Sequence, residues 1–294
     1  MTNEETISEY VAKSVESGVK PLELYFEPIY DCDYGELNSY RAGLKINSII
    51  CGTLKAEDYV NANLPSEVMT ELSFRAIKKA VQAVRTLEDG GIDFKWLSIK
   101  CPSALVKAKD LYKKLVAVKS GADSELSDVK NTEKSEKKAT NDKNGEVDRN
   151  EAAAQKVCVE FDASVMKSAS AELAAAFGDI RSAGMRVAVS GYGGDNFPLE
   201  KILGVCPDYL YLDKKITRLA SDKEKQLAIA PIVNLAKTLG GEVIVTEVIC
   251  DEELKEFKAR ECIGFIPGEG YKGILNIPAP KEYTIKELTR QAKR

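Results

Sequence analysis

Short apolar runs bounded by turn residues alternate with longer stretches of helical spacing along most of this 294-residue chain. Residues 1–20 suit a helix, with Ile7, Tyr10, Val11 and Val15 on one side and Gly18 and Pro21 as its stop. The runs at 22–26 and 40–46 flank the turn-rich segment DCDYGE and are expected to pair as an antiparallel hairpin. Helices follow over 54–60 and 67–87, the second with Leu72, Ala76, Ala80, Val84 and Leu87 as its buried stripe. FKWLSI reads as a strand, and Pro102 opens another helix. Further on, VCVEF is a strand before a helix over 163–177. Val187 to Val189 and Tyr209 to Leu212 are two more buried strands, joined through a glycine loop at 190–196 and a short helix near Pro198. A helix over 222–239, the strand EVIV, a helix over 251–260, a strand at 263–266 and a helix from Thr284 complete the pattern. Eight strands alternating with helices after an initial hairpin predict an α/β fold, a modified TIM-type (β/α)8 barrel with an antiparallel first strand.

One stretch breaks the pattern. Residues 119–150 contain one leucine, two valines and no aromatic side chain among many charges, too little apolar surface to offset the entropy of ordering. It is expected to be a disordered charged insertion acting as a solvated spacer. The predicted organisation is an N-terminal helix over 1–20 and a single barrel domain over 21–118 and 151–294.

Composition narrows the chemistry. A formal charge of −4 offers no basic field for nucleic acid. No apolar run approaches the roughly 20 residues of a membrane span. The seven cysteines are scattered, with no C-x-x-C pair, which suits reduced thiols in the cytoplasm. Histidine is absent, removing the commonest general base and nitrogen ligand for metals. Candidate chemistry therefore rests on carboxylates, lysine, cysteine or tyrosine. The glycine loop lacks both the third glycine of a dinucleotide fingerprint and the lysine of a P-loop, and reads as a tight turn. Glu160 is expected to face the barrel mouth with Asp162 packed outside, or the reverse. Arg41 and Lys100 are expected near the same rim.

Eight ordered segments then resemble one family. FEPIYD is similar to Q-P-I-x-D, YRAGLK to E-A-L-L-R, WLSIKCPS to a strand ending in N-x-S, and VEFDAS to E-I-T-E-S. VSGYGG resembles D-D-F-G-T, PDYLYLDKKI resembles D-x-I-K-I-D, IVTEVICDEEL resembles I-A-E-G-V-E-T, and GFIPGEGY resembles Y-V-Q-G-Y. These are the landmarks of the EAL domain, whose active members hydrolyse cyclic di-GMP with two divalent ions held by carboxylates and an asparagine, assisted by a lysine.

The resemblance implies which positions to compare, and the departures fall on the chemistry. The signature glutamate is Arg41, the asparagine Lys100, the paired aspartates Ser190 and Gly191, and the lysine Tyr211. The glutamates of the seventh motif fall on Thr246 and Ile249, and the late glutamine near Pro267 or Glu269. Glu160 and Asp213 stand in place. Glu27 and Lys45 replace a glutamine and an arginine that contact the ligand in the family, so the possible ligand-contacting positions are Glu27, Arg41, Lys45 and Lys100. The expectation is a catalytically inactive regulatory or protein-binding member without catalytic residues, cofactor or metal, with cyclic di-GMP binding doubtful. Its expected partner is another protein or a second copy of itself, and neither nucleic acid nor a membrane. Arg41 and Lys100 are expected to close around Glu160 or to hold an anionic ligand. The alternatives are a non-hydrolysing cyclic di-GMP receptor and an active phosphodiesterase using Mg2+ or Mn2+ through Asp162, Asp195, Glu247 and Glu269.

Overall fold

The computed structural model describes residues 9, 11, 22–48, 52–60, 64–120, 142–194, 197–273, 277 and 281–291. Of the expected helix over 1–20, Glu9 and Val11 are described, both helical; its remainder lies outside the described residues. β1 (Leu22–Tyr30) and β2 (Leu37–Ser48) pair antiparallel, with Glu27 opposite Arg41 and Glu23 opposite Lys45. Asp31 closes the turn between them by accepting the backbone N–H groups of Asp33, Tyr34 and Glu36.

The short β3 (Gly52–Leu54) hangs on β2 as a ninth strand, which three residues could not announce by periodicity. Then come α1 (Ala56–Val60), α2 (Ser66–Asp89) and β4 (Leu97–Cys101), which pairs parallel with β2. β5 (Val157–Asp162), β6 (Arg186–Tyr192), β7 (Tyr209–Leu212), β8 (Glu242–Val248) and β9 (Gly264–Pro267) continue the parallel sheet. β9 pairs antiparallel with β1, so eight strands close the barrel.

Helical expectations were met in place more often than in extent. Pro102 leads into a 3-10 turn, Ser103–Lys107, rather than an α-helix. The helix expected over 163–177 is split into a 3-10 turn, Ala163–Lys167, and an α-helix, Ser170–Ser182, by extended backbone at Ser168. The helix expected over 222–239 begins only at Ile229, because Pro231 lacks an N–H and is tolerated in a first turn but not in an interior.

Both ends of the stretch expected to be disordered, 119–150, are helical. α3 (Leu111–Ser120) enters it and α4 (Asp142–Gln155) leaves it, while residues 121–141 lie outside the described residues. Packing overrides composition in α4: Ala153 and Ala154 are fully buried, and Asn150 accepts a 2.7 Å hydrogen bond from Arg85 on α2. The remaining helices are α5 (Ser170–Ser182), α6 (Leu199–Val205), α7 (Lys214–Leu219), α8 (Ile229–Thr238), α9 (Asp251–Lys258) and α10 (Ile285–Gln291).

Alternation along the strands sorts the apolar side chains into two cores. Leu97, Ile99, Val157, Val159, Phe161, Val187 and Val189 join the large core beneath the helices. Ile29, Trp96, Cys158, Ala188, Tyr209, Tyr211 and Ile244 form a separate cluster that fills the barrel interior. The Trp96 and Tyr209 rings stack there at 4.3 Å. The barrel is a packed core, with Arg41, Lys100 and Glu160 toward one end and Arg186 and Glu242 toward the other.

Candidate functional site

Period two puts Ser39, Arg41 and Gly43 of β2 on one face, as it does Ser98 and Lys100 of β4 and Cys158, Glu160 and Asp162 of β5. Glu160 and Asp162 therefore share a face, and both line one cavity of about 760 Å³ together with Arg41, Lys100 and Ser190. The expectation that one of the two acids packs outside the barrel is corrected on that geometry.

Glu160 is almost fully buried, 1% exposed, and Arg41 grips it with two nitrogens. Arg41 Nε lies 2.9 Å from Oε2 and 3.1 Å from Oε1, and Nη2 lies 2.5 Å from Oε1. Burial alone would lower the Arg41 pKa, but the adjoining carboxylate outweighs it and holds the guanidinium above its usual value. The guanidinium carbon also sits 4.9 Å from the centre of the Tyr211 ring. Tyr211 is fully buried, and its hydroxyl meets the Ser98 hydroxyl at 2.6 Å. Burial, and then the nearby Glu160 carboxylate, push its phenol well above the ordinary range.

The expected closed cluster of Arg41, Glu160 and Lys100 takes a different form, because the hairpin adds a second acid. Lys100 Nζ lies 3.4 Å from Glu27 Oε2, and Arg41 Nη1 lies 3.9 Å from the same oxygen. Burial raises the Glu27 pKa, but the charges of Lys100 and then Arg41 outweigh it and hold this carboxyl below its usual value. The mouth thus carries two acid and base pairs in place of one triad. Above them, the Tyr25 ring lies across Gly43, where a Cβ would come within 2.3 Å of Tyr25 Cζ, and the Lys55 and Lys100 ammonium groups each sit 5.6 Å from that ring.

The other candidate positions have local partners outside the cavity. Lys45 pairs with Glu23 at 3.6 Å. Asp213 caps α7 by accepting the Lys215 N–H at 2.8 Å. Thr246 donates its hydroxyl to the Leu212 carbonyl, and Ile249 donates its N–H to Glu253 Oε2. Gly191 has φ +80°, a conformation that favours glycine. Glu247 and Glu269 are exposed and do not line the cavity, and Asp195 lies outside the described residues.

Glu253 is a buried charge that sequence reasoning missed: Arg218 Nη1 donates to it and to the Glu247 carbonyl at 2.7 Å, clasping a residue with φ +60°. The resembled motif reads glycine at position 247, so this φ agrees with the motif register. Among the described residues, no group of three or more acids and cysteines could hold a metal ion.

A closed barrel with an antiparallel first strand and a polar mouth defines the class, that of the EAL-like modified TIM barrel. Residues 133–265, a little under half of the chain, match the EAL domain, and the barrel is EAL-like in fold. That match leaves out β1 to β4, the strands that carry Glu27, Arg41 and Lys100. Among solved structures, an EAL domain protein from Listeria monocytogenes superposes with a TM-score of 0.67 at 15% identity, covering 99% of this chain and 97% of that one. The FimX EAL domain of Xanthomonas citri, in complex with cyclic di-GMP, gives 0.67 at 12% identity, covering 94% and 97%. The PaMucR phosphodiesterase in its cyclic di-GMP complex gives 0.66 at 14%, covering 92% and 98%. A comparison with curated proteins gave no match.

Proposed function

We propose that this chain is a catalytically inactive EAL-type barrel that acts as a regulatory or protein-binding module in signalling related to cyclic di-GMP. The observation that carries the reading is the bidentate Arg41 to Glu160 pair. Hydrolysis in the active family uses divalent ions, which lower the pKa of bound water from about 15.7 towards about 7 and so supply hydroxide. The residues present do not suit such an ion. Both oxygens of the one buried carboxylate at the mouth are taken by a guanidinium, and Lys100 places a second cation at the rim. Magnesium favours a near-octahedral set of oxygens, and a divalent ion entering here would displace a charge-assisted pair against like charge.

With the metals and the lysine replaced, the barrel retains its shape and loses its hydroxide source. Tyr211 does not take over as base, since burial keeps its phenol protonated. The test is incubation of the full chain with cyclic di-GMP and Mg2+ or Mn2+, followed by chromatography of the nucleotides. No linear product is expected with either metal, and metal-dependent turnover abolished by Glu160→Ala would overturn the reading.

A further inference from the structure

The end of the barrel where the parallel strands begin holds charges of its own. Arg186, Tyr209 and Glu242 are the first residues of β6, β7 and β8, and Lys95, Trp96 and Ile263 lie just before β4 and β9. Strand alternation aims the first three inward. Arg186 shares a face with Ala188, Tyr209 with Tyr211, and Glu242 with Ile244, and the second of each pair belongs to the interior cluster. All six residues line one cavity of about 370 Å³, within the roughly 300–1,000 Å³ typical of small-molecule sites. Parallel barrels keep their chemistry at the opposite, carboxyl-terminal strand ends, so this cavity is separate from the Arg41 to Glu160 mouth.

The polar groups on its wall are only partly matched to one another. Arg186 donates Nη1 to the Tyr209 hydroxyl, and its guanidinium carbon sits 5.7 Å from the centre of that ring. Burial holds the Tyr209 phenol above its ordinary range, so the hydroxyl keeps its own proton, which has no acceptor among the described residues. The Trp96 indole is 1% exposed and stacked on Tyr209, and its N–H is likewise unpaired among the described residues. Among those residues the Arg186 guanidinium, the Lys95 ammonium and the Glu242 carboxylate form no ion pair, either with one another or elsewhere. All three are solvent-exposed, so the fold does not require their charge; what they share is the cavity.

Two cations and two unused donors suit a carboxylate, and the lone acid suits an ammonium. The stacked rings and Ile263 add an apolar wall. A simple anion would meet Glu242 and a simple cation would meet Arg186 and Lys95, whereas a molecule carrying both charges satisfies each. We propose that the strand-start end of the barrel is a second ligand site, for a free α-amino acid with an apolar side chain. Arg186 and Lys95 take its carboxylate, Glu242 takes its ammonium, and its side chain lies against Trp96, Tyr209 and Ile263. The carboxylate also offers an acceptor to the Tyr209 hydroxyl, a donor that is costly to leave buried and unpaired. The site stands independently of whether the opposite mouth is catalytic.

Trp96 is the single tryptophan of the chain, so its fluorescence reports on the site directly. The test is titration of the full chain with L-leucine, followed by Trp96 emission. Two analogues run beside it: isocaproate, which lacks the ammonium, and isoamylamine, which lacks the carboxylate. A saturable change is expected with millimolar leucine, and each analogue should bind about tenfold more weakly or worse, having lost a charge-assisted bond. Glu242→Gln should erase the preference for leucine over isocaproate, and Arg186→Gln should reduce the preference over isoamylamine. Glu242 is exposed, so the melting curve of its variant should match that of the parent. No saturable change at millimolar leucine, an analogue that binds as tightly as leucine, or an unchanged preference in a folded Glu242→Gln would each overturn the site.

Discussion

Replacing Arg41 by alanine tests the pair at the barrel mouth by removing one partner and leaving the other in place. Glu160 is 1% exposed and Arg41 15%, so water cannot readily take over the guanidinium's role. Truncating one member of a buried, hydrogen-bonded ion pair costs about 3–5 kcal/mol, because the remaining charge is stranded. The same truncation in a solvated surface pair costs only about 0.2–1 kcal/mol. Loss of the guanidinium from the Tyr211 face adds to the first figure. For a chain of this size the expected fall in melting temperature is about 5–8 °C. Removing both charges should restore most of the loss, since well-packed apolar side chains often replace a buried pair without penalty. The assay is urea unfolding followed by far-ultraviolet circular dichroism on the parent, Arg41→Ala and Arg41→Met/Glu160→Met. An Arg41→Ala cost below about 1 kcal/mol would refute the reasoning. It would mean that Glu160 is solvated and open to a metal ion.

Four further outcomes follow from the same contacts. Glu27 has a depressed folded-state pKa, so its contribution to stability is complete above the unfolded value of about 4.3 and is lost as pH falls through the folded value. Glu27→Gln should therefore flatten the acid limb of stability against pH, measured by urea midpoints. Tyr211→Phe leaves the buried Ser98 hydroxyl without its 2.6 Å partner and should cost about 1–3 kcal/mol by the same unfolding assay. Gly43→Leu brings a side chain against the Tyr25 ring and should destabilise by about 1–3 kcal/mol, with a shift in near-ultraviolet dichroism as that tyrosine moves. Glu247→Gly relieves a positive φ and should raise stability by about 0.5–1 kcal/mol in thermal melts.

The strands were legible because barrel strands buried on their outer face read as short apolar runs, and Tyr209–Leu212 matches its expected bounds. Closure was legible from the count of strands and from the hairpin segment DCDYGE, whose Asp31 draws the backbone into the turn. What packing decides was not legible. α4 is polar in sequence and is held by its last turn and by Arg85 from another helix. Residues 121–141 of the same charged stretch lie outside the described residues.

At the site, strand alternation suffices to place Arg41, Lys100 and Glu160 at one mouth. The partner of Lys100 depends on the hairpin register that sets Glu27 opposite Arg41, a contact across strands that no local pattern contains.

The most direct measurement is a Mn2+ titration of the full chain followed by electron paramagnetic resonance of the free ion. The Arg41 to Glu160 pair predicts that the free-ion signal rises with added metal as it does in buffer, both with and without cyclic di-GMP. Stoichiometric loss of that signal, abolished by Glu160→Ala, would contradict the account and return the barrel mouth to metal chemistry.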